Sequence, residues 1–87
     1  MTDRSQPEVV LYTRTGCHLC EDAKQVLLDA GVTFTAVDID SDLELQRQYH
    51  EQIPALFIAG RKAFKYRIDP AELRRKLDLA RKAAAPE

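Results

Sequence analysis

The chain has 87 residues, 45% hydrophobic and 31% charged, with 13 basic and 14 acidic side chains and a net charge of -1. That is one globular domain able to bury roughly 60–65% of its unfolded surface, without the charge footprint of a nucleic-acid or anionic-membrane binder. Two cysteines are too few for a disulfide scaffold, no apolar run is long enough to span a bilayer, and the absence of asparagine excludes N-glycosylation.

Met1 to Pro7 is polar and lacks the apolar stretch of a signal peptide, which makes a cytoplasmic chain the expectation. Val9-Val10-Leu11-Tyr12 reads as a strand covered on both faces, and Thr13 to Gly16 turns the chain. Beyond Cys17, the residues Leu19, Cys20, Ala23, Val26, Leu27 and Ala30 recur at helical spacing, and Gly31 stands where a C-terminal cap belongs. Val32 to Ile39 reads as a second strand, with Phe34, Ala36 or Val37 toward the core, parallel to the first because a helix separates them.

Ser41-Asp42-Leu43-Glu44 has the pattern of a capping box, predicting a helix from Asp42 to about His50 with Leu43, Leu45 and Tyr49 as its apolar positions. Ile53-Pro54 ends it, and Ala55 to Ile58 is a third strand. Gly60 turns the chain into a fourth, antiparallel strand at Lys62 to Tyr66. Asp69-Pro70-Ala71-Glu72 opens a last helix with a capping residue, a proline at its first position and a glutamate in its first turn. Leu73, Leu77, Ala80 and Ala84 line its inner face, and Arg74, Arg75, Lys76, Arg81 and Lys82 read as its solvated side. Tyr49, Phe57 and Phe64 are expected in the core. The order βαβαββα predicts an α/β fold, a four-stranded mixed sheet flanked by three helices, as a single domain over 8–83 with flexible termini at 1–7 and 84–87.

Cys17-His18-Leu19-Cys20 is the one stretch that points to chemistry. Residues three apart share a helix face, so the two sulfurs can close a disulfide without moving the backbone. A helix N-terminus offers free N–H groups and partial positive charge to a thiolate, and Cys17 is placed to gain both. His18 when protonated and Arg14 on the connecting loop would add positive charge, whereas Glu21 and Asp22 disfavour a thiolate at Cys20. Ile53, held extended by the following proline, leaves backbone groups to pair with an extended peptide.

Strand, Tyr12 to Cys20, the Val37-Asp38-Ile39-Asp40 strand end and Ile53-Pro54 before the third strand together resemble the thioredoxin superfamily, and within it the glutaredoxin-like branch. The resemblance implies a thioredoxin-like fold and a thiol-disulfide oxidoreductase, with Cys17 the exposed nucleophile, Cys20 the buried resolving thiol and Pro54 a cis-proline facing them. It also implies substrate contacts at Arg14, His18, Ile53, Pro54 and Arg67. Arg14 matches a lysine of glutathione-binding members, but Gln52-Ile53 replaces threonine-valine and Tyr66-Arg67-Ile68-Asp69 stands where a Gly-Gly-x-Asp segment is usual. Bulky side chains there would block the γ-glutamyl end of glutathione, while Arg67 would pair with a carboxylate.

The resulting expectation is a monomer with no bound cofactor and no metal, acting on a disulfide-containing protein or a low-molecular-weight thiol. Its reductant is glutathione, as co-substrate, or thioredoxin reductase. Two alternatives stay open: a metal or iron–sulfur cluster carrier, for which one chain offers only two thiols plus His18 and His50, and a binding module whose cysteines are idle.

Overall fold

The computed structural model describes residues 7–84. The terminal segments expected to be flexible lie outside them, apart from Pro7, which is buried, and Ala84, where the last helix ends. Strand β1 (Val9–Thr13) leads to α1 (His18–Asp29) and β2 (Thr35–Asp38), then a 3₁₀ turn at Ile39–Ser41 and α2 (Leu43–Tyr49). Strands β3 (Ala55–Ile58) and β4 (Arg61–Lys65) form a hairpin before α3 (Pro70–Ala84). The sheet order is β2-β1-β3-β4, with β1 parallel to β2 and antiparallel to β3, and β3 antiparallel to β4. This is the four-stranded mixed sheet with three helices that the sequence predicts.

Strand alternation decides what each face carries. Val9 pairs with Ile58 and Leu11 with Leu56, and these four join Ala23 and Leu27 of α1 and Leu73 and Leu77 of α3 in one buried cluster. On the other face Tyr12 stacks on Tyr49 of α2 at 4.7 Å between ring centroids, and Phe57 meets both rings edge-on. Burial in this cluster also pushes the Tyr49 phenol up from its ordinary value. Seven residues of helix are marginal on their own, so these ring contacts are what hold α2 to the sheet.

Helix α1 stops where the glycine signal says. Gly31 has φ 72, its N–H donates to the Leu28 carbonyl, and the Val32 N–H reaches the Leu27 carbonyl, which is a Schellman closure. Those two bonds take Val32 into the helix end, and β2 starts only at Thr35, later than the predicted Val32. Phe34 packs against the core, but Ala36 is exposed because β2 is an edge strand.

Three other expectations change. Asp42, not Ser41, caps α2, its carboxylate accepting from the Glu44 N–H at 2.8 Å, while the Ser41 hydroxyl donates to the Asp38 carbonyl within the 3₁₀ turn. Leu43 is 73% exposed and α2 has no buried residue, so of its apolar positions only Leu45 and Tyr49 are even half-buried. Lys76 is not part of a solvated face: its ammonium donates to the Ala63 carbonyl at 2.7 Å and lies 4.7 Å from the centre of the Phe64 ring, tying α3 to β4. Tyr49, Phe57 and Phe64 are half-buried.

Candidate active site

The chain leaves β1 at Thr13 and reaches α1 through Arg14, Thr15 and Gly16. Gly16 has φ 79, and a Cβ there would meet no atom within 4 Å, so the turn needs glycine for its backbone conformation and not for space. Cys17 follows as the N-cap of α1. Its backbone is extended, its carbonyl accepts from the Glu21 N–H at 3.2 Å, and its sulfur accepts from the Cys20 N–H at 3.1 Å. Sulfur thus takes the place that a serine or aspartate oxygen fills in most caps.

Cys17 and Cys20 are joined as a disulfide with Cα atoms 5.1 Å apart. The two are not equivalent: Cys20 has 0% exposure on the inner face of α1, beside Ala23 and Leu27 in its helical stripe, whereas Cys17 is half-exposed. An incoming reagent meets Cys17 first. Thr13, on the same face of β1 as Leu11, is buried with its hydroxyl lacking a hydrogen-bond partner among the described residues.

Arg14 is engaged elsewhere than at Cys17. Its guanidinium makes a forked contact with Asp40, Nη2 to Oδ1 at 2.8 Å and Nε to Oδ2 at 3.3 Å. That hydrogen bond, with the charge behind it, raises the Arg14 pKa and holds the Asp40 carboxyl below the usual carboxylate range. Because the folded value of Asp40 is depressed, the pairing stabilises the fold above the ordinary carboxylate range and is lost as pH falls through the folded value. Replacing Arg14 with glutamine should therefore move the Asp40 titration midpoint upward, read by carbon NMR of its carboxyl; an unmoved midpoint would refute the pairing in solution. His18 points outward, 91% exposed, with Nε2 at 3.8 Å from the Asp22 carboxylate one helical turn on.

The second wall of the site comes from the neighbouring strand β3 and the chain that enters it. Tyr12 pairs with Ala55 in the β1–β3 register, so Pro54 falls next to the end of β1 from which the cysteine loop departs. The Ile53–Pro54 peptide is cis. Pro54 is buried, and its carbonyl accepts from the Tyr66 N–H at 2.8 Å. Ile53 is half-buried. Arg67 is exposed and borders a groove of about 380 Å³ that runs between Leu19 and Asp22 of α1 and the segment Phe64 to Asp69. A larger groove, about 660 Å³, lies between the C-terminal end of α1 and α3, away from the cysteines. Among the described residues no three His, Cys, Asp or Glu side chains cluster as a metal ligand set, and no helix is long and apolar enough to cross a membrane.

Two residues of the site have contacts that the sequence reading did not assign: Asp40, named there only within the strand-end motif, and Tyr66, named there only as a bulky replacement for glycine. Asp40 had a readable signal, since parallel strands ending at Thr13 and Asp38 must bring the residues just beyond them together. Tyr66 had none of its own, because its contacts are set by how β4 leaves the sheet.

Residues 8–78 match the family described as Glutaredoxin-like domain (DUF836). A glutaredoxin-like protein of Dictyostelium discoideum is 35% identical over 72 residues, covering 71% of this chain and 67% of that protein. Among solved structures, protein XcR50 from X. campestris superposes with a TM-score of 0.72 at 36% identity, over 90% of this chain and 99% of that one. The glutaredoxin from Brucella melitensis superposes with a TM-score of 0.65 at 29% identity, over 86% of each chain. The sheet and its three helices are thus a glutaredoxin/thioredoxin-like fold carrying a Cys-x-x-Cys pair, and the chain belongs to the glutaredoxin-like domain family (DUF836).

Proposed function

We propose that this chain is a thiol-disulfide oxidoreductase in which Cys17 attacks and Cys20 resolves. The observation that carries the reading is the asymmetry of the pair: one sulfur half-exposed at a helix N-terminus and accepting an N–H, the other at 0% exposure. The Cys17 thiolate attacks one sulfur of a substrate disulfide, the substrate's other sulfur leaves as a thiolate, and a mixed disulfide forms. Cys20, as thiolate, then attacks the Cys17 sulfur, expelling the second substrate sulfur. The substrate gains the two electrons of the dithiol, and the chain is left with the Cys17–Cys20 disulfide. Two electrons from glutathione or from thioredoxin reductase restore the dithiol.

Ile53 supports docking of the substrate beside Cys17, because its backbone N–H and carbonyl enter no hydrogen bond among the described residues and are free to pair with an extended chain. A disulfide-containing protein, or a mixed disulfide of a small thiol, is the substrate class in this reading. Arg67, on the groove beside α1, is a carboxylate partner for either. The expected result of a redox titration is full interconversion of the pair between about -180 and -300 mV, with turnover supported by glutathione or by thioredoxin reductase. Thiols that do not change state across that range would instead leave a binding module.

A further inference from the structure

Tyr66 holds a backbone conformation that nothing in its own burial rewards. Its φ is 74, a region bulky residues avoid, and its side chain is 43% exposed and outside the buried cluster. What it does make is two hydrogen bonds to a single segment. Its N–H donates to the Pro54 carbonyl at 2.8 Å, and its phenol donates to the Glu51 carbonyl at 2.8 Å. The two acceptors bracket Gln52 and Ile53, and Lys62 adds a bond to the Gln52 side chain at 2.6 Å. The positive φ is that of a γ-turn centred on Tyr66, which the Arg67 N–H closes by donating to the Lys65 carbonyl at 2.9 Å. Its ring also borders the groove beside Leu19 and Asp22.

We propose that Tyr66 is a positioning residue that clamps the segment 51–54 in the shape on which an extended polypeptide disulfide docks, so that discrimination between polypeptide and small disulfides depends on it. This rests on the oxidoreductase reading. It assigns Tyr66 no contact with the reacting sulfurs.

Two variants separate docking from folding. Tyr66→Phe deletes only the bond to Glu51, and Tyr66→Gly deletes that bond while relieving the left-handed backbone. Turnover is measured with insulin as the polypeptide disulfide and with bis(2-hydroxyethyl) disulfide as the small one. Tyr66→Phe, which keeps the ring beside the groove, should raise KM for insulin about fivefold, the range expected for one hydrogen bond, and leave the small disulfide's kcat and KM unchanged; Tyr66→Gly should raise KM for insulin likewise. Tyr66→Gly should do so without lowering Tm, a combination that a merely structural tyrosine cannot produce. The backbone N–H of Gln52, which donates to the Tyr49 carbonyl at 2.8 Å, should exchange faster with deuterium in Tyr66→Phe than in the wild type, because an unclamped segment opens that bond more often. Equal KM changes for both substrates, or an unchanged insulin KM, overturn the proposal. Should the wild type reduce neither disulfide, the oxidoreductase reading fails by itself, and an unchanged Gln52 exchange rate would then show separately that Tyr66 clamps nothing.

Discussion

Cys17→Ser is expected to lower disulfide reduction by at least about a thousandfold while leaving the fold intact. The nucleophile is the thiolate, and a serine hydroxyl does not ionise at neutral pH, so the first exchange step has no substitute on this chain. The same change is gentle structurally. Cys17 caps α1 by accepting the Cys20 N–H on its sulfur, and serine is among the preferred residues for that position, so its oxygen inherits the bond. Circular dichroism and thermal unfolding should therefore match those of the reduced wild type, which is the proper reference because neither has a disulfide.

Cys20→Ser should behave differently. The first step survives, the second does not, and the mixed disulfide accumulates until an added thiol releases it. Intact mass spectrometry after exposure to a disulfide substrate would show one substrate fragment attached at Cys17. If the fragment instead attached to Cys20 in Cys17→Ser at a wild-type rate, the assignment of roles would be reversed.

Leu11→Ala is expected to cost about 2–5 kcal/mol of folding stability, the range for truncating a fully buried leucine. Leu11 has 0% exposure in the strand that pairs with both β2 and β3, opposite Ala36 on one side and Leu56 on the other. A single domain of this size has only about 5–10 kcal/mol in total, so the variant would be close to half unfolded under mild denaturation. The control is Leu79→Ala on α3, which is 53% exposed and should stay within about 0.5 kcal/mol of the wild type. Urea unfolding measures both. A Leu11→Ala loss below about 1 kcal/mol would mean that the core relaxes around the cavity and that the packing inferred for β1 is wrong.

How much of this was readable in advance follows the range of the forces involved. Ala55 to Ile58 is a strand as read, because a four-residue apolar run bounded by a proline and a glycine turn has few other outcomes. The last helix starts at Pro70 as read, because Asp69 accepts the Ala71 N–H at 3.0 Å beside a proline whose missing N–H costs nothing there. The capping box at Ser41 failed by one residue: Asp42 offers the same chemistry one step later, and the 3₁₀ turn that buries Ile39 had already drawn Ser41 into its own bonds. Lys76 was misread because a lysine on a helix gives no sign of which aromatic ring and carbonyl a neighbouring strand will bring beneath it.

At the candidate site the division is the same. The spacing of Cys17 and Cys20, their place at a helix start and the proline after Ile53 are determined by sequence alone, since each acts over a few residues. Which strands are edges, that Arg14 spends its charge on Asp40, and that Tyr66 turns back to hold Glu51 and Pro54 were decided only by the tertiary structure. Each of those contacts joins residues a dozen or more positions apart, and their partners depend on strand order and register, which local propensity does not encode.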